Sequence, residues 1–195
     1  MIRVFHGFLG SPRDFEFLKG DGIILHDLYQ ETPVTNASDI LIGYSMGGRL
    51  AMELAKKNGF RKLILINAHP GIVDDKEREV RNAWEEEVLE RLTDTESFLS
   101  WWNALPLFKN DRPLTNVPVG SAALFQRMVL SGQENFLSFL KENKERVHWI
   151  LGEKDPKYSL LKNQLHDFDV HMLPAGHRLF QQPELLIPII RKLAS

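Results

Sequence analysis

The sequence predicts an α/β architecture: a mostly parallel sheet of about six strands, interrupted by a helical insertion. Three observations carry this. Near-continuous apolar runs such as Ile40-Leu41-Ile42 and Leu63-Ile64-Leu65-Ile66 alternate with amphipathic stretches, the pattern of strands buried on both faces beneath crossover helices. A glycine-flanked serine, Gly43-Tyr44-Ser45-Met46-Gly47, stands between one such strand and one such helix. Residues 72–144 then show helical periodicity without a strand, and Val147-His148-Trp149-Ile150-Leu151 restores the strand pattern. The expected division is a core of residues 1–71 and 145–195, capped by an insertion of residues 72–144.

Composition bounds the function classes. The 195 residues suit one domain with a sizeable core, and 43% apolar with 26% charged residues is ordinary for a globular protein. A net charge of −2 gives no basis for a nucleic-acid or anionic-membrane partner, and no apolar run approaches membrane-spanning length. Cysteine is absent, which excludes a disulfide scaffold, a thiolate-held metal and a cysteine nucleophile; no metal or cofactor is expected. The chain reaches His6-Gly7 too early for a secretory signal, so a cytoplasmic location is expected.

In order, Ile2–Phe5 reads as a strand, and Ser11-Pro12 offers an N-cap and first-turn proline for a helix to about Leu18. Gly22–His26 is the next strand, and 27–39 shows little helical periodicity. Ile40–Tyr44 leads to the serine, and the following helix ends at Asn58-Gly59, a suitable C-cap pair. Lys62–Asn67 is another strand. Val80, Trp84, Val88 and Leu92 mark a charged helix over 74–92, and Thr93-x-x-Glu96 predicts a capping box for a helix carrying Phe98, Trp101 and Trp102. Two more helices are expected over 121–130 and 134–144. After the strand at 147–151 come a short helix near 159–166, a strand at 170–173 and a last helix over 183–193.

The chemistry concentrates at Ser45. Glycines two residues away on each side permit a tight strand-to-helix turn that exposes the hydroxyl at a helix N-terminus. A serine needs an imidazole to take its proton, and the imidazole needs a carboxylate to orient it. Asp155 and His177 each follow an apolar strand, and the ends of parallel strands converge, so Ser45, Asp155 and His177 are the expected catalytic residues. An oxyanion requires donors; the backbone N–H groups of Met46 and Phe8 are assigned. Arg49 opposes the helix dipole in the first turn, which suggests either a grip on an anionic substrate or a solvent-facing side chain of no consequence. His6 is expected to support its own loop, and His26, His69, His148, His166 and His171 to be packing or surface residues.

Taken together, His6-Gly7-Phe8-Leu9-Gly10, Gly43-Tyr44-Ser45-Met46-Gly47-Gly48-Arg49, His69-Pro70-Gly71 with Glu77-Arg78 and Arg81, Trp101-Trp102 to Pro106-Leu107-Phe108, Gly152-Glu153-Lys154-Asp155 and Ala175-Gly176-His177 resemble the α/β-hydrolase family. Within it they resemble the 2-succinyl-6-hydroxy-2,4-cyclohexadiene-1-carboxylate synthases, lyases of menaquinone biosynthesis. The resemblance implies a reduced α/β-hydrolase fold and a small polycarboxylate substrate from which pyruvate is eliminated. It also implies substrate contacts from Tyr44, Arg49, Arg81, Trp102 and Arg127, the last placed by its distance from Gly132. The sequence departs from that family between Phe8 and Tyr44, where a helix and the usual loop after the second strand are missing, and a pocket more open on that side is expected. The triad alone leaves two other readings: a small carboxylesterase with Ser45 as nucleophile, and a non-catalytic binding protein of the same fold.

Overall fold

The computed structural model describes residues 1–195. Its centre is a six-stranded, wholly parallel sheet of β1 (Ile2–Phe5), β2 (Ile23–His26), β3 (Ile40–Tyr44), β4 (Lys62–Ile66), β5 (Val147–Gly152) and β6 (Asp169–Leu173), in the order β2-β1-β3-β4-β5-β6. The apolar runs are continuous because alternate residues enter different cores. Leu41, Leu63, Leu65 and Trp149 face one side, packed by Met52 and Ala55 of α1 (Met46–Asn58) and by Leu140 of α5 (Leu137–Glu142). Ile40, Ile42, Ile64 and Ile150 face the other, beneath Leu186, Ile190 and Leu193 of α7 (Pro183–Ala194) and Phe15 of the 3-10 helix Pro12–Leu18. The register Leu41↔Leu63 and Leu65↔Trp149 stacks each apolar row in line.

Between β4 and β5 run α2 (Asp75–Arg91), α3 (Thr95–Asn103), α4 (Ser121–Arg127) and α5. Val88, Leu92, Phe98, Trp102, Phe108 and Phe125 form a third core, joined from the N-terminal region by Leu9 and by the partly buried Phe8. That cluster seats these helices on the loop after β1. The last sheet segments are joined by α6 (Tyr158–Leu161).

Two local expectations are corrected. The segment after Ser11 is a 3-10 helix bent at Phe15 (φ −119°), which lets Phe15 and Leu18 point into one core three residues apart. The cap of α3 is Asp94, not Thr93: its carboxylate accepts the N–H groups of Glu96 and Ser97, while the Thr93 hydroxyl donates back to the Glu90 carbonyl. Residues 27–39 cross from β2 to β3 without a helix, as their lack of helical periodicity predicts, held by an Asn36 side-chain turn at Ser38 and by Asn58 donating to Thr35.

Candidate active site

Ser45 occupies the turn between β3 and α1 with φ at +51°, a region L-residues avoid. Two glycines make the turn possible. A Cβ on Gly47 would lie 2.3 Å from the carbonyl oxygens of Phe5 and His6, and one on Gly43 would lie 2.4 Å from Gly48 Cα. The end of β1 therefore passes directly over the start of α1, which brings the His6–Gly10 loop to the serine.

The ends of β3, β5 and β6 bring Ser45, Asp155 and His177 together. His177 Nε2 lies 3.1 Å from Ser45 Oγ, and His177 Nδ1 lies 2.6 Å from Asp155 Oδ2. Asp155 is fully buried and His177 is 3% exposed. The other oxygen, Asp155 Oδ1, accepts the N–H groups of Lys157 and Tyr158, so the carboxylate cannot swing away. With Nδ1–H donated to Asp155, Nε2 is left as the acceptor for the serine hydroxyl. The imidazole is enclosed by the rings of Tyr158, Tyr44 and Phe108, with centroids 4.9, 5.4 and 5.5 Å away.

Asn67 ties the two loops. Just past β4 with φ at +41°, it accepts the Gly152 N–H through Oδ1 and donates through Nδ2 to the His177 carbonyl. Read as a sequence, it looks like the polar end of a strand, and only its left-handed backbone marks it out.

On the oxyanion side, His6 is buried and neutral: its Nδ1–H donates to the Gly7 carbonyl, Nε2 accepts the Leu28 N–H, and burial lowers its pKa. The loop it braces carries Phe8, which lines a cavity with Ser45, Tyr44, Trp102, Phe108 and Arg178. Met46 begins α1 directly after the serine. The cavity is only about 30 Å³, room for roughly a water or two. Trp102 of α3 supplies the closure: it packs edge-on against Phe8 at 5.2 Å and lies tilted against Phe108 at 5.5 Å.

The other flank is cationic. Arg49 is 7% exposed and has no carboxylate partner; its one side-chain hydrogen bond is a long one to Gln133 Oε1 at 3.5 Å. Burial lowers its pKa from 12.5 to about 10, with Arg81 pushing the same way against Tyr158 and Glu85. Arg81 donates through Nε to Glu85, whose carboxylate is fixed by the N–H groups of Leu130 and Ser131, and lies over the Trp84 ring. Lys157 shows much of its surface to solvent, yet its ammonium stands among the charges of Arg81, Glu77, Arg49 and Asp155. Desolvation first, then Arg81 and Arg49, lower its pKa to about 8. His69 joins this group rather than the inert histidines: burial, then Lys157, Arg49 and Arg81, depress it to about 3, and its Nδ1 accepts the Gly71 N–H, leaving a neutral ring with an Nε2–H donor. Tyr158 bridges this flank to the serine, interacting with Ser45 and standing edge-on to His69.

Of the expected substrate contacts, Tyr44 and Trp102 line the small cavity and Arg49 and Arg81 the cationic flank. Arg127 is a correction. It donates to the Leu28 carbonyl and lines a groove with Lys56, Lys57 and Glu134 that does not include Ser45. Lys157 and Tyr158 carry a signal that could have found them: two and three residues after Asp155, their N–H groups are where an Asx-type turn needs them.

Residues 5–189 match the alpha/beta hydrolase family. The 2-succinyl-6-hydroxy-2,4-cyclohexadiene-1-carboxylate synthase of Klebsiella pneumoniae (strain ATCC 700721 / MGH 78578) is 30% identical over 154 residues, which are 70% of this chain and 60% of that protein. The putative synthase of the same name from Bacillus subtilis is 28% identical over 178 residues, 80% of this chain and 65% of that one. The matches thus span about 60% of the length of such relatives. In three dimensions the chain superposes on MenH from S. aureus with a TM-score of 0.81 at 21% identity, covering 100% of this chain and 94% of that one. A thermophilic esterase from Thermogutta terrifontis gives 0.66 at 19%, covering 98% and 88%. Matched across nearly its whole length, and built as a parallel sheet with a serine elbow on its third strand, the chain belongs to the alpha/beta hydrolase family.

Proposed function

We propose that the protein is a carbon–oxygen lyase of menaquinone biosynthesis, eliminating pyruvate from 2-succinyl-5-enolpyruvyl-6-hydroxy-3-cyclohexene-1-carboxylate. Ser45 Oγ, passing its own proton to His177 Nε2, removes a ring proton from the substrate. The electron pair shifts the ring double bond into the conjugated 2,4-diene, the bond to the enolpyruvyl oxygen breaks, and the departing enolate takes up the proton held by His177 to become pyruvate. Asp155 holds the imidazole in the acceptor tautomer and balances the imidazolium that forms. The N–H groups of Phe8 and Met46 receive developing negative charge.

The observation that carries the substrate class is Arg49: a buried guanidinium without a carboxylate, beside Arg81, Lys157 and the His69 donor. Leaving a buried cation unpaired costs several kcal/mol, so its natural complement is an anion brought from solution. Arginine also grips carboxylates through two parallel bonds. A polycarboxylate fits; a neutral ester leaves the cations unanswered. The test is pyruvate release from the enolpyruvyl substrate, coupled to lactate dehydrogenase, beside p-nitrophenyl ester hydrolysis. Pyruvate formation that collapses in Arg49→Ala and Arg81→Ala supports the lyase. Brisk ester turnover indifferent to both arginines, with no pyruvate, would assign an esterase instead.

A further inference from the structure

The loop 110–112, between Phe108 and α4, reaches both strand-end loops that carry the acid and the base. Asn110 Nδ2 donates to the Lys154 carbonyl, next to Asp155. Asp111 Oδ2 accepts the N–H of His177 itself at 3.1 Å, and the same carboxylate accepts the N–H of Arg178. Arg112 exchanges bonds with Gln181, its N–H donating to Gln181 Oε1 and its carbonyl accepting from both Gln181 and Arg178. The fit is tight: a Cβ on Gly176 would lie 2.2 Å from Asp111 Oδ1, so glycine there is what admits the carboxylate. Burial raises the Asp111 pKa, and the two backbone donors together with His177 and Arg178 work against that rise.

The His177 peptide is therefore bracketed. Asn67, from the sheet, holds its carbonyl, and Asp111, from the insertion, holds its N–H. We propose that Asp111 is a positioning residue for His177, so that the helical insertion shapes the base as well as the pocket. This role of Asp111 rests on the proposed role of His177 only where a rate is read.

Two measurements separate it from a merely structural role. In protein labelled with 15N-histidine, the Nδ1 and Nε2 shifts of His177, assigned by their loss in His177→Gln, should report one tautomer. Asp111→Ala should average them while the melting temperature and circular dichroism stay near wild type; Asp111→Asn, whose amide oxygen still accepts, should restore most of the wild-type pattern. In the second, Ser45 is titrated with a fluorophosphonate: Asp111→Ala should lower the inactivation rate constant by about 10- to 100-fold with the half-saturating concentration unchanged, as an ångström of misplacement can do. Gly176→Ala, which expels the carboxylate, should act alike. The double variant, free of the clash, should be no worse than Asp111→Ala alone. Unchanged His177 shifts in Asp111→Ala, or a raised half-saturating concentration with an intact rate constant, would overturn the proposal. An unreactive wild-type serine would count against the catalytic reading, and the spectrum would still decide the role of Asp111.

Discussion

Arg49→Met should stabilise the protein and disable it. The guanidinium pKa falls from 12.5 in the unfolded chain to about 10 in the fold, mainly through burial. The unfolded state thus holds this proton more tightly, and at every pH below about 10 the charge destabilises the native state. At ~1.36 kcal/mol per pKa unit, the penalty is about 3 kcal/mol. Methionine of similar length removes it but forfeits the bond to Gln133 and some packing, so a net gain of about 1–3 kcal/mol is expected, or roughly 2–10 °C in Tm for a chain of this size. Removing one side of a buried charge contact with a polycarboxylate costs about 2–5 kcal/mol, roughly 30- to 5,000-fold in kcat/KM for pyruvate release. Urea denaturation and the coupled pyruvate assay on one preparation read both effects. A variant that is less stable than wild type and still turns over would show that Arg49 is satisfied within the protein and is not waiting for an anion.

Ser45→Ala, Asp155→Asn and His177→Ala should each lower turnover by at least ~10³-fold while leaving the thermal transition cooperative; near-normal turnover in any one removes that residue from the triad. Lys157, at a pKa of about 8, loses its charge as pH rises through 8, so KM for the polyanion should climb above that pH in wild type. Lys157→Met should show the raised KM already at pH 7 and no further rise; parallel profiles in the two proteins would exclude Lys157 from binding. Asp14 has its pKa raised to about 6 by burial, although its carboxylate accepts the Ser11 N–H. Ionisation is therefore harder in the fold than in the unfolded chain, a cost fully present above pH 6 and relieved as pH falls toward 4. Asp14→Asn should raise Tm at pH 8, with the difference from wild type closing by pH 4 in differential scanning calorimetry.

The sheet and the elbow were legible because each leaves a local mark: apolar runs for strands buried twice over, and glycines where two backbones nearly touch. The order of Ser45, Asp155 and His177 could be read since parallel strands end together. What failed depends on direction. Arg127 was placed by counting from Gly132, but spacing does not say which face of α4 its side chain leaves. Thr93 and Asp94 are both able to cap, and the carboxylate one residue later took the free N–H groups. Asn67 and Asp111 act across strands and loops far apart in sequence, with no pattern of their own. Lys157 and His69 acquire meaning only from their neighbours' charge.

The bond between Ser45 and His177 joins positions 132 residues apart, and the one from Asn67 to Gly152 spans 85. The order of synthesis then matters. The elbow, α1 and β4 emerge early and can pair with β1, while β4 keeps an open, apolar edge until β5 arrives after the whole insertion. Long-range parallel pairing is slow, so this edge is the stretch most exposed to wrong partners on the ribosome and the place where a holding chaperone would bind. The serine meanwhile sits in its strained turn without a base. The proposed triad stays incomplete until β6 docks.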